Sequence, residues 1–124
     1  MFNLFGGKSA LKQRHEGAVQ MLRDKKVKKY TAVYTADNEH LGEAGRLYHR
    51  PADTVNPELR LYATYLEVIN LAFGNPLYIP TDYIGDYADG KLILSVSLVV
   101  VEDETWDRSP DFVTIHAGDV EELA

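Results

Sequence analysis

The chain has 124 residues, which fits one domain with one modest core. Hydrophobic residues make up 45% and charged residues 26%, an ordinary globular balance that argues against wholesale disorder or a fibrous repeat. Cysteine is absent, which excludes a disulfide scaffold, a thiolate zinc site, an iron–sulfur cluster and a cysteine nucleophile. No apolar run approaches the roughly 20 residues that cross a bilayer. The start, Met1-Phe2-Asn3-Leu4-Phe5-Gly6-Gly7-Lys8, lacks the order of a signal peptide, so a cytoplasmic protein is expected.

The net charge of −6 hides a division. Residues 1–29 carry eight basic groups (Lys8, Lys12, Arg14, Arg23, Lys25, Lys26, Lys28 and Lys29) against Glu16 and Asp24, so this arm is +6. The rest carries five basic groups and 17 acids, so the body is −12. A basic arm attracts nucleic acid, an anionic membrane or an acidic protein, and equally its own acidic body.

Ser9 reads as a helix N-cap after the flexible Gly6-Gly7 pair. Leu11, His15, Ala18 and Leu22 then recur on one face of an amphipathic helix over about 10–25. Gly17 weakens it, and alone in water it is marginal. The period then changes to two. Tyr30, Ala32 and Tyr34 alternate with Thr31, Val33 and Thr35, as in a strand. Asp37-Asn38 supplies a turn, and 41–48 reads as the return strand, with Gly42 and Gly45 allowing bulges or close backbone approach. A loop is expected over 50–57.

Residues 57–73 are ambiguous. Asn56-Pro57 suits a helix start, and Tyr62, Tyr65, Leu66, Ile69, Ala72 and Phe73 have helical spacing. The same stretch is rich in strand-favouring residues. Tyr78-Ile79-Pro80 is a short extended piece, and Asp89-Gly90 a strong turn. The run 91–101 reads as the clearest strand, with Leu92, Leu94, Val96, Leu98 and Val100 on one face and an apolar end on both. The acidic Glu102-Asp103-Glu104 follows as a gatekeeper. A weak strand is expected over 112–117 and a mobile acidic tail over 118–124.

The motif Tyr78-Ile79-Pro80-Thr81-Asp82-Tyr83-Ile84, followed by Asp89-Gly90-Lys91-Leu92-Ile93-Leu94, resembles the Ile-Pro-x-x-x-Ile step, turn and apolar strand of small PRC-barrel domains. Asp37-Asn38-Glu39-His40-Leu41-Gly42 is similar to the opening hairpin of that family, and Trp106 with Pro110 to the tail of related small bacterial proteins. The resemblance covers roughly 28–110. It implies a mainly β fold, a small strongly bent barrel preceded here by the N-terminal helix. It also implies a helical turn near 57–60 and a strand near 63–70 in place of a long helix. The expected organisation is a basic arm over 1–27, a β domain over 28–117 and the tail. The family's shared behaviour is docking onto larger assemblies.

No catalytic signature accompanies this pattern. There is no Gly-x-Ser-x-Gly elbow and no phosphate loop, and Ser95 and Ser97 fit a strand face. Histidines 15, 40, 49 and 116 form no i, i+4 pair. A metal site of Glu39, His40, His49 and Asp53 is chemically admissible, without geometry to fix it, and no cofactor is expected. Among eight tyrosines, Tyr30, Tyr65 and Tyr78 suit the half-buried wall of a barrel. Tyr83 and Tyr87 suit an interface, and Trp106 suits a lid over the open end or an anchor in a binding patch.

The expected function is therefore a non-enzymatic interaction or adaptor module with an unknown protein partner. It would dock through the barrel edge and the arm, with Lys25, Lys26, Lys28, Lys29, Tyr83, Tyr87 and Trp106 as contact residues. A homodimer is expected from exposed edges and the two-sided apolar end of 91–101. Rivals are nucleic-acid or anionic-membrane binding by the arm, then a small-ligand or metal-binding barrel.

Overall fold

The computed structural model describes residues 17–70, 72 and 74–123. Ser9, Leu11, His15 and the apolar Phe2, Leu4 and Phe5 lie outside these residues. The helix is present over 17–24 (α1) and buries Ala18, Val19 and Leu22. Its end is set by backbone geometry. Lys26 turns left-handed at φ 51°, its N–H donates to the Arg23 carbonyl (3.1 Å), and the Val27 N–H reaches the Leu22 carbonyl (3.0 Å). This double closure satisfies carbonyls the helix leaves open, and Val27 then joins Leu22 in the core.

Seven strands follow: β1 (Ala32–Tyr34), β2 (His40–His49), β3 (Thr64–Ile69), β4 (Leu77–Pro80), β5 (Ile84–Ala88), β6 (Lys91–Leu94) and β7 (Asp119–Glu121). They form one sheet in the order β4-β3-β2-β1-β6-β5, with β7 paired to β2. Only β1 and β6 run parallel. The protein is thus mainly β with a few short helices. β4 and β5 stand at the two ends of this order, yet only the 3-10 turn Thr81–Tyr83 separates them. The sheet must curl to bring its ends together. No ladder joins β4 to β5, so it is not closed into a barrel.

β2 bends where the sequence provides glycine. A Cβ at Gly42 would run into the Ile69 carbonyl oxygen of β3. Between Ala44 and Leu47 the register with β3 shifts, and the Glu67 carboxylate takes up the Arg46 N–H at 3.2 Å. The inner face carries the core, with Leu47 opposite Leu66 and both fully buried. The other face carries Tyr48 opposite Tyr65. Phe112 packs on Tyr65 there, with ring centroids 5.9 Å apart.

Five expectations are corrected. The long helix suggested by the spacing over 57–73 is absent; the segment is the 3-10 turn Pro57–Leu59 followed by β3, as the resemblance implied. The strand expected over 91–101 ends at Leu94, and Leu98–Asp103 is a helix (α2). Its ladder partners run out: β1 ends at Tyr34 opposite Ile93, and β5 begins at Ile84 opposite Leu94. The Asp37 carboxylate then accepts the Leu98 N–H at 3.1 Å. A negative charge at a helix start outweighs the strand preference of Val99 and Val100.

The expected strand over 112–117 is likewise a short helix, Asp111–Thr114 (α3), started by Pro110 and anchored by buried Phe112. The acidic end is not a loose tail. β7 pairs with Leu47, Tyr48 and His49, made possible by Gly118. That residue has φ 78°, and a Cβ there would strike the His49 carbonyl oxygen. Tyr30 also departs from expectation: it is 66% exposed at φ 71°, ahead of β1 rather than in the wall.

Gly118→Ala is expected to lower stability by more than about 1 kcal/mol, because the left-handed backbone and the collision act together. Gly17→Ala, in a helix with open space around the added carbon, is expected to be neutral or stabilising by up to about 1 kcal/mol. Urea midpoints of the two variants measure the contrast; equal effects would contradict it.

Candidate interaction surface

The basic arm and the acidic chain end meet in a seam of ion pairs. Arg23 grips Glu121 with two hydrogen bonds, Nη2 to Oε1 at 2.7 Å and Nε to Oε2 at 3.1 Å. His49 Nε2 lies 2.8 Å from the same Oε1, and its Nδ1 lies 3.0 Å from the Thr64 hydroxyl. Arg46 Nε and Lys29 Nζ both reach Glu122, at 2.8 and 3.8 Å. Arg23 is half exposed, so its pair is partly screened by water. The bidentate geometry and the His49 contact make it stronger than a lone surface pair. The Glu121 carboxyl is accordingly lowered from 4.5 to about 2, chiefly by the Arg23 hydrogen bonds against the opposing cost of burial, with His49 adding to the shift.

The expected contact residues fall into two groups. Lys25 and Tyr87 come together at the outer edge of β5: Lys25 Nζ lies 3.4 Å from the Tyr87 carbonyl oxygen. The Tyr87 N–H is held by the Asp86 carboxylate at 2.7 Å. Lys26 and Lys28 are exposed nearby in the chain, while Lys29 is turned to Glu122 and sits 5.4 Å from the Tyr30 ring. Tyr83 and Trp106 form the second group. Their rings lie 5.1 Å apart, and Trp106 is only 7% exposed. Its carbonyl accepts the Tyr78 N–H of β4 at 2.7 Å, so Trp106 covers an edge of the sheet. Tyr83 also places its hydroxyl 3.1 Å from that of Tyr62. Burial, with the Tyr83 hydroxyl, pushes the Tyr62 phenol well above its ordinary value.

Next to Trp106 the structure adds residues that the sequence did not single out. Arg50 is buried with its side chain 3% exposed. It donates from Nε to the Tyr62 carbonyl (2.8 Å), from Nη1 to Asp111 (3.2 Å) and from Nη2 to the Tyr65 hydroxyl (3.3 Å). The Phe112 ring lies 4.6 Å from its guanidinium. Arg50 lines a cleft of about 230 Å³ together with Arg60, Arg108, Tyr78 and Trp106. The sequence placed Arg50 only at the start of the loop over 50–57.

Glu39, His40, His49 and Asp53 are not brought together. His40 and His49 occupy opposite ends of ten-residue β2, and His40 pairs with Glu43 at 3.0 Å. Among the described residues no three histidine or acidic side chains group to hold a metal.

Below the ordinary range of a glutamate, the unfolded chain binds a proton that native Glu121 refuses. The stability from the seam is therefore full above about 4.5 and is lost as pH falls towards about 2. Glu121→Gln is expected to unfold at lower urea than the parent near neutral pH, and the gap should shrink at about pH 2.5. Urea titrations at both pH values check it; a gap independent of pH would contradict it.

No family model, no curated protein and no solved structure matches this chain.

Proposed function

We propose that the chain is a non-enzymatic interaction module with a PRC-barrel-like bent sheet, docking a partner protein along the edge of β5 beside the basic arm. One observation carries this reading: the sheet edge and the arm meet at Tyr87. Both outward backbone groups of Tyr87 are held by side chains, Asp86 on the N–H and Lys25 on the carbonyl. Side chains can leave where a strand would not. An extended segment lying beside β5 would replace them with backbone hydrogen bonds. Acidic side chains on that segment would meet Lys25, Lys26 and Lys28. When empty, the same charges guard the edge against indiscriminate pairing.

The rival readings are less well supported. Arg23 and Lys29 are already taken by Glu121 and Glu122, which leaves less of the arm for nucleic acid or an anionic membrane. Among the described residues no helix is long and apolar enough to cross a membrane. The inside of the curl is filled by Leu47, Leu66, Ile79 and Leu92, which disfavours an interior ligand or metal. The homodimer drew on exposed strand edges and on a two-sided apolar strand end; the second support is lost, because Leu98–Val101 lies in α2 with Val101 in the core, and the lysines beside the β5 edge favour an acidic partner over a second copy.

Affinity capture from native extract tests this, using the full chain, a Lys25→Glu/Lys26→Glu/Lys28→Glu variant and Tyr87→Pro, each verified as folded by circular dichroism. Proline removes the outward N–H without a ladder bond being lost. One protein recovered by the parent, and reduced about tenfold or more by either variant, is the expected outcome. Equal recovery by all three would sink the edge. Nucleic acid or lipid recovered instead, and released by salt, would assign the function to the arm. Light scattering of the pure chain at twice its 14.0 kDa mass would restore the homodimer.

A further inference from the structure

We propose that the cleft beside Trp106 is a binding site for a small organic oxyanion, a carboxylate or a phosphate carried on a flat apolar group. The inference stands apart from the docking edge and does not depend on it. Three guanidinium groups, Arg50, Arg60 and Arg108, line this cleft of about 230 Å³, against two carboxylates, Glu104 and Asp111. One positive charge is therefore in excess, in a chain whose net charge is −6.

The pairing within the cleft shows where that excess lies. Arg60 is bound to Glu104. Arg50 has Asp111, but that carboxylate is 78% exposed while the arginine side chain is 3% exposed. A hydrated counter-ion compensates a buried cation poorly. Of the five N–H donors of a guanidinium, Arg50 uses three on protein acceptors. Arg108 has no ion pair among the described residues. Planar, forked donors of this kind match a carboxylate or phosphate. The walls supply the other half of the recognition: Tyr65, Tyr78 and Trp106 offer aromatic surface to the body that carries the anion. The volume exceeds what an inorganic ion fills and suits a ligand of about one ring.

Calorimetry with phenyl phosphate, benzoate and neutral benzyl alcohol tests the site at constant ionic strength. The chain's single tryptophan, Trp106, reports location by its fluorescence. Saturable heat and a matching Trp106 change are expected with phenyl phosphate, benzoate or both, and neither with benzyl alcohol. Which anion binds more tightly distinguishes a phosphate from a carboxylate ligand. Arg108→Gln, at an exposed position with no ion pair among the described residues, is expected to weaken binding about tenfold. Lys91→Gln, a cation of β6 that does not line the cleft, is expected to leave it unchanged. No saturable heat with either anion, or equal weakening by both variants, would overturn the proposal. The docking variant Tyr87→Pro is expected to bind the anion normally, so failure of one reading is separable from failure of the other.

Discussion

β2 is ten residues long and buried along most of its inner face, so both of its edges need partners. Backbone N–H and C=O groups left dry and unpaired are too costly for a chain of this size. β3 serves one edge from Glu43 to His49, with a register shift between Ala44 and Leu47. The other edge is served twice, by β1 as far as Glu43 and by β7 from Leu47 onward. β1 cannot do the whole task, because the chain enters it from α1 through the left-handed residues Lys26 and Tyr30. The acidic end of the chain is thus recruited as a structural strand.

That recruitment changes the meaning of the charge division. An arm of +6 and a body of −12 look like a tether for an outside partner. Two of the five arm cations among the described residues are paired internally instead. Arg23 and Lys29 meet Glu121 and Glu122, which reach them because β7 lies beside β2. Electrostatics and strand pairing reinforce one another: the ladder sets the position of Glu121, and Arg23 with His49 holds it ionised. Lys26 and Lys28 stay exposed, and Lys25 alone of the three is held, at the Tyr87 carbonyl.

Local chemistry was legible where it acts locally. Asn38 takes the left-handed turn conformation, Asp89-Gly90 closes the β5–β6 hairpin, and Gly42 sits under a neighbouring strand. The apolar run after Leu94 misled, because its helix is started by Asp37, a residue 61 positions away that periodicity does not see. The acidic end misled for a similar reason: Asp119-Val120-Glu121 forms a strand only because β2 needs an edge. Within the candidate sites, Lys25 and Tyr87 were found as separate features, and the structure joins them. Arg50, Arg60 and Arg108 are isolated arginines in three different segments, and nothing in their spacing points to a common cleft.

The open sheet and the cleft have one cause. Closing the barrel would require the outer edge of β4 to pair with β5. At Tyr78 that edge is already occupied, since its N–H donates to the Trp106 carbonyl. The connecting turn Thr81–Tyr83 is anchored on both sides: the Thr81 hydroxyl bonds the Thr64 carbonyl at 3.3 Å, and the Tyr83 carbonyl accepts the Ser95 N–H at 2.8 Å. The segment carrying Trp106 is thus wedged beside β4, and Phe112 beyond it packs on the outer face through Tyr65. A segment placed there leaves space between itself and the loop over 60–62. Arg50 lies under that space because β2 ends at its shoulder, and Tyr65, opposite Tyr48 in the ladder, directs the phenol towards it. A sheet closed through Tyr78 would displace the Trp106 wall, so the arrangement that leaves the barrel open is the one that builds the cleft.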